Sequence, residues 1–378
     1  MPPENVSAVP LSPIVIRLGS LGDMINLSSL LRFLHRRYGM PCVVIGAGPW
    51  NEPVYRGNPD VARVWSLDRY VPFLLQASGW RLMAALRRSN PAPIYICDDD
   101  KRLPRVQRLL RLSGVDRGRC VFISSATPRA DEHHVDSLMR FGERTPAALR
   151  AERYPVPAAT PACARLPRDL DPERAELGAW ITAQGWSGRQ LILVQPGNRR
   201  TMSTRRERHR RLNRDDKAWP EQRWIELFHR IHARVPQALI MLCGARQEVP
   251  MLRQLRAAAN LEAVVVASLA LRPFFALCEA AHSMISIDTG PAHAAAAMDL
   301  PLVVIFGGQR QNRWLPRSSS GTPVIGLGGP PIASHVNQIP VDAVFDAWCS
   351  LADQIPLQRP RVRRDPVVPA QQRALTGR

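Results

Sequence analysis

Residues 13–22 read Pro-Ile-Val-Ile-Arg-Leu-Gly-Ser-Leu-Gly, a short apolar, β-branched run that ends in a loop with two glycines. In residues 23–38, apolar side chains recur at positions 24, 27, 30, 31 and 34, which is the spacing of one helix face. Gly39 is expected to end this helix, and residues 41–46 form the next apolar run. Strand, helix and strand in this order predict a βαβ unit, so a parallel sheet covered by helices begins here.

The same alternation continues on both sides of a proline-rich connector. Residues 61–65 and 93–97 are predicted to add strands to the first sheet, and residues 145–189 are predicted to be an extended connector with one short helix. Beyond the connector we predict strands at residues 190–194, 238–243, 263–266, 284–287 and 302–306, and helices at 221–235, 248–259, 273–281, 292–298 and 341–352.

This pattern predicts an α/β fold with two Rossmann-like, doubly wound domains that face each other across a cleft. We expect an N-terminal domain at residues 1–165 and a C-terminal domain at residues 166–345. Residues 346–378 are expected to hold the end of the last helix and a disordered tail rich in arginine.

The composition limits the classes of function. The 378 residues contain no run of 18 apolar residues and no secretory signal, so we expect a cytoplasmic protein. Seven scattered cysteines without a C-x-x-C pair favour neither a disulfide framework nor a zinc site, and no cofactor or metal is expected. The net charge of +19 favours anionic partners, such as nucleic acid, lipid headgroups or phosphorylated substrates. A GC-rich genome, which favours Arg, Ala and Pro codons, explains the same bias.

The loop at residues 19–23 lies between the first strand and the first helix, where ligands bind in open α/β sheets. It lacks the G-x-G-x-x-G pattern of dinucleotide-binding proteins, which argues against NAD. Gly19 and Gly22 allow a ligand to approach the backbone closely. Asp23 has two interpretations: a carboxylate that caps the helix, or a general base at the carboxyl edge of the sheet.

Residues 285–293, Ile-Ser-Ile-Asp-Thr-Gly-Pro-Ala-His, carry the most specific pattern. A strand that runs into Asp-Thr-Gly-Pro and then a helix places backbone N–H groups and a hydroxyl at a helix start, which suits a diphosphate. The same Asp-Thr-Gly also occurs in aspartic proteases, but those enzymes are built from antiparallel sheet. His293 is either a packed, hydrogen-bonded side chain or a ligand contact.

Residues 215–220, Asp-Asp-Lys-Ala-Trp-Pro, precede a predicted helix at the carboxyl edge of the second sheet. Lys217 is either a solvated surface lysine or, opposite a diphosphate, a cation that neutralises the leaving group without a metal. Trp219 and Trp224 are expected to pack in the core rather than to bind a base.

Together these three segments resemble glycosyltransferase family 9, the lipopolysaccharide heptosyltransferases. The resemblance covers residues 14–345 and is strongest over residues 215–307, where Asp-Asp-Lys-x-Trp-Pro and Asp-Thr-Gly-Pro-x-His both occur. It implies the GT-B fold and an enzyme that inverts configuration at the sugar. The implied donor is a nucleotide diphosphate sugar, ADP-heptose in most of the family. The implied acceptor is an anionic glycan or glycolipid of the lipopolysaccharide type, with peripheral contact to the inner membrane.

The resemblance also assigns residues. Asp23 matches the family's catalytic base and Lys217 the lysine at the donor phosphates, so these two are the catalytic candidates. The residues implied in donor binding are Gly22, Glu248 (at the ribose), Asp288, Thr289, Gly290, Pro291 and His293.

The sequence departs from the family pattern in two places. Residues 212–214 are Leu-Asn-Arg where small hydroxyl residues are usual, and residues 306–314 replace the usual Phe-Gly-Pro-Thr-Asp-Pro with Phe-Gly-Gly-Gln-Arg-Gln-Asn-Arg-Trp. The eight arginines of residues 199–214 form either a solvated loop or a lid and contact for anionic groups. Two alternatives therefore stay open: a degenerate cleft that binds polyanions, and the same fold with a UDP- or GDP-sugar. No aromatic residues are interleaved with these arginines, so nucleic acid is not expected as a partner.

Overall fold

The computed structural model describes residues 9–68, 71–89, 91–98, 101–125, 129–158, 160–198 and 216–354. The Arg-rich segment at residues 199–214 and the tail after residue 354 lie outside the described residues, so the predictions made for them stay predictions. In the described part, two parallel sheets each carry helices, and together they form the two-sheet α/β architecture predicted from the sequence.

The first sheet has the order β3-β2-β1-β4-β5, and all its strands are parallel. Its strands are β1 (Ile14–Arg17), β2 (Cys42–Ala47), β3 (Val61–Leu67), β4 (Ile94–Ile96) and β5 (Cys120–Phe122). Its helices are α1 (Leu21–Tyr38), α2 (Asn51–Tyr55), α3 (Ala77–Arg88), α4 (Leu103–Leu112) and α5 (His134–Gly142). Because the strand order reverses at β1, the crevice beside the carboxyl end of β1 is the expected ligand site.

The second sheet has the order β11-β10-β9-β6-β7-β8, also parallel throughout. Its strands are β6 (Leu191–Gln195), β7 (Leu239–Cys243), β8 (Val264–Ala267), β9 (Ser283–Ile287), β10 (Leu302–Phe306) and β11 (Val324–Gly328). The remaining helices are α6 (Asp171–Ala183), α7 (Glu221–Arg234), α8 (Val249–Ala259), α9 (Leu271–Ala280), α10 (Gly290–Ala297), α11 (Gln311–Trp314) and α12 (Val341–Gln354). Here the order reverses between β6 and β9.

The helices of the first sheet lie in two layers. α3 and α4 cover one face, where Leu82, Leu86 and Leu109 pack on Ile14 and Ile16 of β1 in a core cluster of their own. α1 and α5 pack together on the other face. The core on that face continues into the second half of the chain, because α1 also packs against α10.

Several elements differ from the sequence-based prediction. β5 and β11 were not predicted, because one has three residues and the other, Val-Ile-Gly-Leu-Gly, is a half-buried edge strand with two glycines. The connector holds a helix of 13 residues, α6, which packs against α9 and starts with proline at its second position. α12 continues to Gln354 and buries Trp348 in the core of the second sheet, so residues 346–354 belong to that layer.

The core positions predicted for Trp219 and Trp224 are confirmed. All seven cysteines are free thiols. Trp219 and Trp224 are buried and meet edge to face, with ring centroids 4.7 Å apart. Among the described residues, no helix is both long and apolar enough to cross a bilayer.

Candidate active site

Asp23 lies in the first turn of α1, directly beyond the carboxyl end of β1. Its Oδ2 accepts a hydrogen bond of 2.7 Å from the backbone N–H of Ser20, so the side chain does cap the helix. Its Oδ1 lies 2.6 Å from Nη2 of Arg17, and the two side chains are 18% and 12% exposed, respectively. The capping role predicted from the sequence is therefore present, and the carboxylate is also held in a largely buried ion pair.

Arg17 and Asp98 form the frame around this carboxylate. Arg17 is the last residue of β1, and its other terminal nitrogen donates to the carbonyl oxygen of Cys97, which follows β4. Asp98 is fully buried, and both of its carboxylate oxygens accept from the backbone N–H of Leu18, at 3.0 and 2.9 Å. Hydrogen bonds to the residues that follow β4, the neighbour of β1 in the sheet, thus hold the loop that carries Asp23.

The ion pair sets the charge state of Asp23. Burial on its own raises the pKa of this carboxyl, but the charge of Arg17, with hydrogen bonds from Arg17 and from the N–H of Ser20, outweighs it and lowers the pKa of Asp23. Asp23 is therefore a carboxylate at neutral pH, as a general base must be, although the ion pair weakens it as a proton acceptor.

Two histidines at the start of α5 connect this site to the second half of the chain. The ring of His134 stacks against Trp314 of α11, with centroids 4.5 Å apart, and burial lowers the pKa of His134 to about 3. The Nδ1 of His133 accepts from the N–H of Val135, which leaves Nε2 to donate to the carbonyl oxygen of Leu315 at 2.9 Å. Burial lowers the pKa of His133 to about 4, so both rings are neutral at physiological pH.

On the facing side, Lys217 and Asp288 form a second ion pair. The Nζ of Lys217 donates to Oδ2 of Asp288 at 2.7 Å and to its carbonyl oxygen at 2.8 Å. Asp288 follows β9, and its side chain is 8% exposed. The neighbour of Lys217, Asp216, accepts from the N–H of Gly308 at 2.9 Å and so ties the loop after β10 to the same place. A cation and a carboxylate therefore lie together at the switch point between β6 and β9.

The N-termini of α1 and α10 are in direct contact. A Cβ atom on Gly22 would lie 2.9 Å from Cδ2 of His293 and 3.5 Å from the Cα of Gly290. A Cβ atom on Gly290 would lie 2.9 Å from the Cβ of Leu21. A side chain at either position would therefore push against a side chain of the facing helix, His293 or Leu21, and glycine avoids this. Asp23, the residue after Gly22, consequently shares one crevice with the loop that begins at Asp288.

The remaining predicted donor-binding residues take up different positions. Thr289 and Pro291 are half-buried at the start of α10, and the hydroxyl of Thr289 donates to the carbonyl oxygen of Ile287 at 3.2 Å. His293 is buried, its pKa is lowered by burial, and among the described residues its Nδ1 has no hydrogen-bond partner. Glu248 is 1% exposed and accepts from the N–H of Ala245 at 2.9 Å, so it supports its own loop.

Two cavities are found in the described part of the chain. One, of about 790 Å³, lies between the halves and is lined by His133, Arg310, Arg317 and the turn at residues 330–332 among others. The other, of about 660 Å³, lies beyond β8 and is lined by Arg246, Val249, Pro250, Arg253, Ser268, Leu269 and Ala270. The second adjoins Glu248, which places it beside the residue predicted at the ribose.

The sequence reasoning missed four residues of this site: Arg17, Asp98, His134 and Asp216. Two signals pointed to them. Arg17 is a charge at the end of an otherwise apolar strand, and Asp98 follows β4 in the way that Asp23 follows β1. His134 gave no local signal. Within the described residues, no group of three His, Cys, Asp or Glu side chains is placed to hold a metal ion.

Two parallel-sheet domains of this kind form the GT-B fold, and the known structures that share it include glycosyltransferases. The heptosyltransferase II of E. coli is 18% identical, with a TM-score of 0.66, and the match covers 91% of this chain and 99% of that one. A family 9 glycosyltransferase from Veillonella parvula is 14% identical, with a TM-score of 0.70 over 92% of this chain and all of the other. E. coli heptosyltransferase WaaC, in a structure with ADP, is 17% identical, with a TM-score of 0.62 over 90% of this chain and all of that one.

One family model matches part of the second half of the chain. Residues 210–331 match the model of glycosyltransferase family 9 (heptosyltransferase), which confirms the resemblance seen in the motifs. No curated protein matches the chain in sequence. Residues 210–331 thus resemble the family 9 glycosyltransferases in sequence, and the solved structures share the fold of the chain.

Proposed function

We propose that this protein transfers a heptose-like sugar from a nucleotide diphosphate donor, ADP-heptose, to a glycan acceptor of the lipopolysaccharide type, with inversion at the anomeric carbon. Asp23 acts as the base, and Lys217 with the start of α10 holds the donor diphosphate. The contact of Gly22 with Gly290 and His293 is the observation that carries the proposal. It brings the carboxylate of one half and the phosphate-binding helix N-terminus of the other into a single crevice.

The proposed reaction has one displacement step. The acceptor hydroxyl attacks the anomeric carbon while its proton passes to a carboxylate oxygen of Asp23. The bond from the anomeric carbon to the diphosphate breaks on the opposite face, and the nucleoside diphosphate leaves. Lys217 and the backbone N–H groups at the start of α10 stabilise the negative charge that develops on this leaving group. This scheme uses no metal ion, as the sequence analysis predicts.

The donor and the acceptor occupy opposite sides of the crevice in this proposal. The second half, with Asp288, Thr289 and the cavity beyond β8, takes the nucleotide. That cavity combines apolar side chains with Arg246 and Arg253, which suits a base and ribose next to phosphates. The first half takes the acceptor, an anionic glycolipid that the enzyme meets in the cytoplasm at the inner face of the membrane.

The role of Asp23 is tested with Asp23→Asn. The amide oxygen keeps the hydrogen bond to Ser20 but accepts no proton, so we expect turnover to fall at least about 100-fold, the usual contribution of a general base. Donor binding, measured by thermal shift, should remain. Asp116→Asn is the matched control, because Asp116 also caps a turn, by accepting from Gly118 at 3.0 Å, far from the crevice. Near-wild-type turnover in Asp23→Asn would refute the mechanism.

The donor is tested with a panel of nucleotides. A ligand that binds the native state raises the free energy of unfolding by about 2.7 kcal/mol at 100 times its Kd. At one shared concentration, ADP, UDP and GDP therefore give different thermal shifts if their Kd values differ. We expect ADP to give the largest shift and ADP-heptose to be turned over, with inverted configuration seen by NMR. A larger thermal shift with UDP or GDP would mean that the donor carries that nucleotide instead. If no nucleotide gives a shift and the protein binds polyanions in a salt-sensitive way, a non-catalytic role would be supported.

A further inference from the structure

The outer layer of the N-terminal half carries an exposed patch that the catalytic proposal does not use. It consists of Val71, Leu75, Trp80, Arg81, Arg105 and Arg108, and is called the outer face below. Leu75 is 77% exposed and Trp80 is 60% exposed, although both are large apolar side chains. A contiguous exposed apolar patch on a protein often marks a site of contact with another molecule.

The patch is organised as a fixed surface. The indole Nε1 of Trp80 donates to the carbonyl oxygen of Leu74 at 2.9 Å, which holds the ring against the 3-10 turn at Phe73–Leu75. Nη2 of Arg105 donates to the carbonyl oxygens of Asp68 and Val71, at 3.0 and 2.9 Å, and so fastens the loop before this turn to α4. Loop, turn and both helices thus present one continuous surface.

The charge of this surface has a single sign along its helices. α3 and α4 contain six arginines and no Asp or Glu. Arg81 and Arg108 are exposed, on the sides of their helices opposite the buried leucines. Asp68, three residues before Val71, accepts from the backbone N–H of Val71. A partner for this surface must therefore carry negative charge and must also offer an apolar environment for Trp80 and Leu75.

The outer face also has a defined position relative to the crevice. The loop and turn that carry Val71 and Leu75 follow the carboxyl end of β3, and α4 follows that of β4. Both lie at the edge of the sheet where Asp23 follows β1. At the same time α3 and α4 cover the sheet face that does not pack against the second half. A molecule on the outer face would lie beside the crevice without closing it.

We propose that the outer face docks on an anionic lipid bilayer, with Leu75 and Trp80 at the level of the headgroups and the arginines on lipid phosphates. An anionic surface satisfies the arginines, and the headgroup region is where an amphipathic indole is most stable. This inference rests on the proposed transfer to a glycolipid, because docking there brings an acceptor in the membrane to the side of the crevice that holds Asp23.

The first test measures binding of the full chain to vesicles of 70% phosphatidylcholine and 30% phosphatidylglycerol by co-sedimentation, with pure phosphatidylcholine for comparison. We expect binding to the mixed vesicles alone, and a loss of at least tenfold in Leu75→Ser/Trp80→Ser. Ile332→Ser/Val156→Ser is the control, because Ile332 is 77% and Val156 50% exposed away from the outer face. Equal loss in both double variants, or no binding of the wild type, would overturn the proposal.

A second pair of variants tests the charge without touching apolar groups. Each basic residue near an anionic membrane contributes about fivefold to binding, so Arg81→Glu/Arg108→Glu should weaken it by at least roughly 30-fold. Arg36→Glu/Arg256→Glu makes the same change in total charge at exposed positions elsewhere. If the control weakens binding as much, the total charge of the chain rather than the outer face is responsible, and the proposal is wrong.

Two further readouts keep the outcomes distinct. Sedimentation velocity shows whether Leu75 and Trp80 instead join two copies of the chain; a dimer that these substitutions dissociate, with vesicle binding unchanged, would overturn the proposal. Transfer to a water-soluble acceptor fragment should be unchanged in all outer-face variants. If the protein transfers sugar to the soluble acceptor but does not bind vesicles, only the docking inference is wrong. If it binds vesicles but shows no transfer, only the proposed function is wrong.

Discussion

Arg17→Met should shift the pH dependence of the reaction upward if Asp23 is the base. In the wild type, burial raises the pKa of Asp23 and Arg17 more than reverses that effect. Removing the guanidinium leaves the burial in place, so the carboxyl binds a proton at higher pH. The neighbouring groups do not replace the lost charge, because His134 and His293 are buried with lowered pKa values.

The structure sets the size of this effect. The N–O distance of 2.6 Å puts the two charge centres about 4 Å apart, where unit charges attract by about 4 kcal/mol at an effective dielectric constant of 20. The partial exposure of the two side chains weakens this attraction, and the hydrogen bond from Ser20 that remains in the variant still favours the carboxylate. We therefore expect the acidic limb of kcat/KM to move up by about 1–3 pH units, the range seen when a carboxylate loses an adjacent arginine.

The assay follows release of the nucleoside diphosphate from pH 4.5 to 9 at saturating donor. Arg17→Lys is the matched control, because it keeps the charge and should keep the wild-type limb. At pH 8.5 Arg17→Met should retain more activity relative to wild type than at pH 5.5. An unmoved acidic limb in an active Arg17→Met enzyme would refute the reasoning, since either Asp23 is not the base or Arg17 does not control it.

The same ion pair contributes to stability, and the sign follows from its direction. The pKa of Asp23 is lower in the folded chain, so its contribution is present above the unfolded value near 3.9 and is lost as the pH falls through the folded value. Breaking a buried pair by removing one partner costs about 3–5 kcal/mol. Urea unfolding at pH 7 should show this loss in Arg17→Met and a smaller one in Arg17→Met/Asp23→Asn.

Three more predictions concern the residues around the crevice. Gly22→Ala should lower kcat/KM about tenfold or more, because its Cβ would lie 2.9 Å from His293, and Gly22→Ala/His293→Ala should recover part of this in the same assay. Lys217→Met should cost about 3–5 kcal/mol in urea unfolding by leaving the buried Asp288 unpaired, whereas Lys217→Arg should not. The pKa of His133 is lowered to about 4, so the unfolded chain binds more protons between pH 4 and 6.5, and the contribution of His133 to stability should fall by about 1 kcal/mol from pH 6.5 to 5 after allowance for solvent screening. His133→Gln should reduce the slope of stability against pH by this amount, and the slope that His134 contributes should remain.

The parts of the site that could be predicted lie within single strand–loop–helix segments. Asp288 directly follows a buried strand, and Asp23 and Gly290 come in the loop or first helical turn after one, so the local pattern predicted their place at the carboxyl edge. Lys217 was predicted from a motif that matches a known family. In each case a few consecutive residues hold the whole signal, and the parallel sheet brings their ends to one edge whatever the order of the strands.

The residues that were missed depend on the strand order itself. Asp98 supports the N–H of Leu18 across 80 positions in sequence, and this requires β4 to lie next to β1. His134 reaches Trp314 because α5 packs beside α1 while α11 belongs to the second half. Hydrophobic periodicity carries no information about either pairing.

The two ion pairs explain how the halves can meet at all. Asp23 and Asp288 lie at the starts of α1 and α10, and bringing two carboxylates into one crevice would cost energy if both were uncompensated. Arg17 and Lys217 come from the same halves as the carboxylates that they pair with, at 2.6 and 2.7 Å. Each half therefore neutralises its own helix start before Gly22 and Gly290 come together.

The cations that permit this approach are also the groups next to the proposed base and leaving diphosphate, so substitution of either one changes both the contact and the chemistry. Only the charge-conserving variants separate the two effects. Arg17→Lys and Lys217→Arg keep the neutralisation that the contact needs, but they change the number and direction of hydrogen bonds at the reacting groups. Variants that keep the native stability and lose turnover would place the function of these cations in the reaction; variants that lose both equally would place it in the assembly of the crevice.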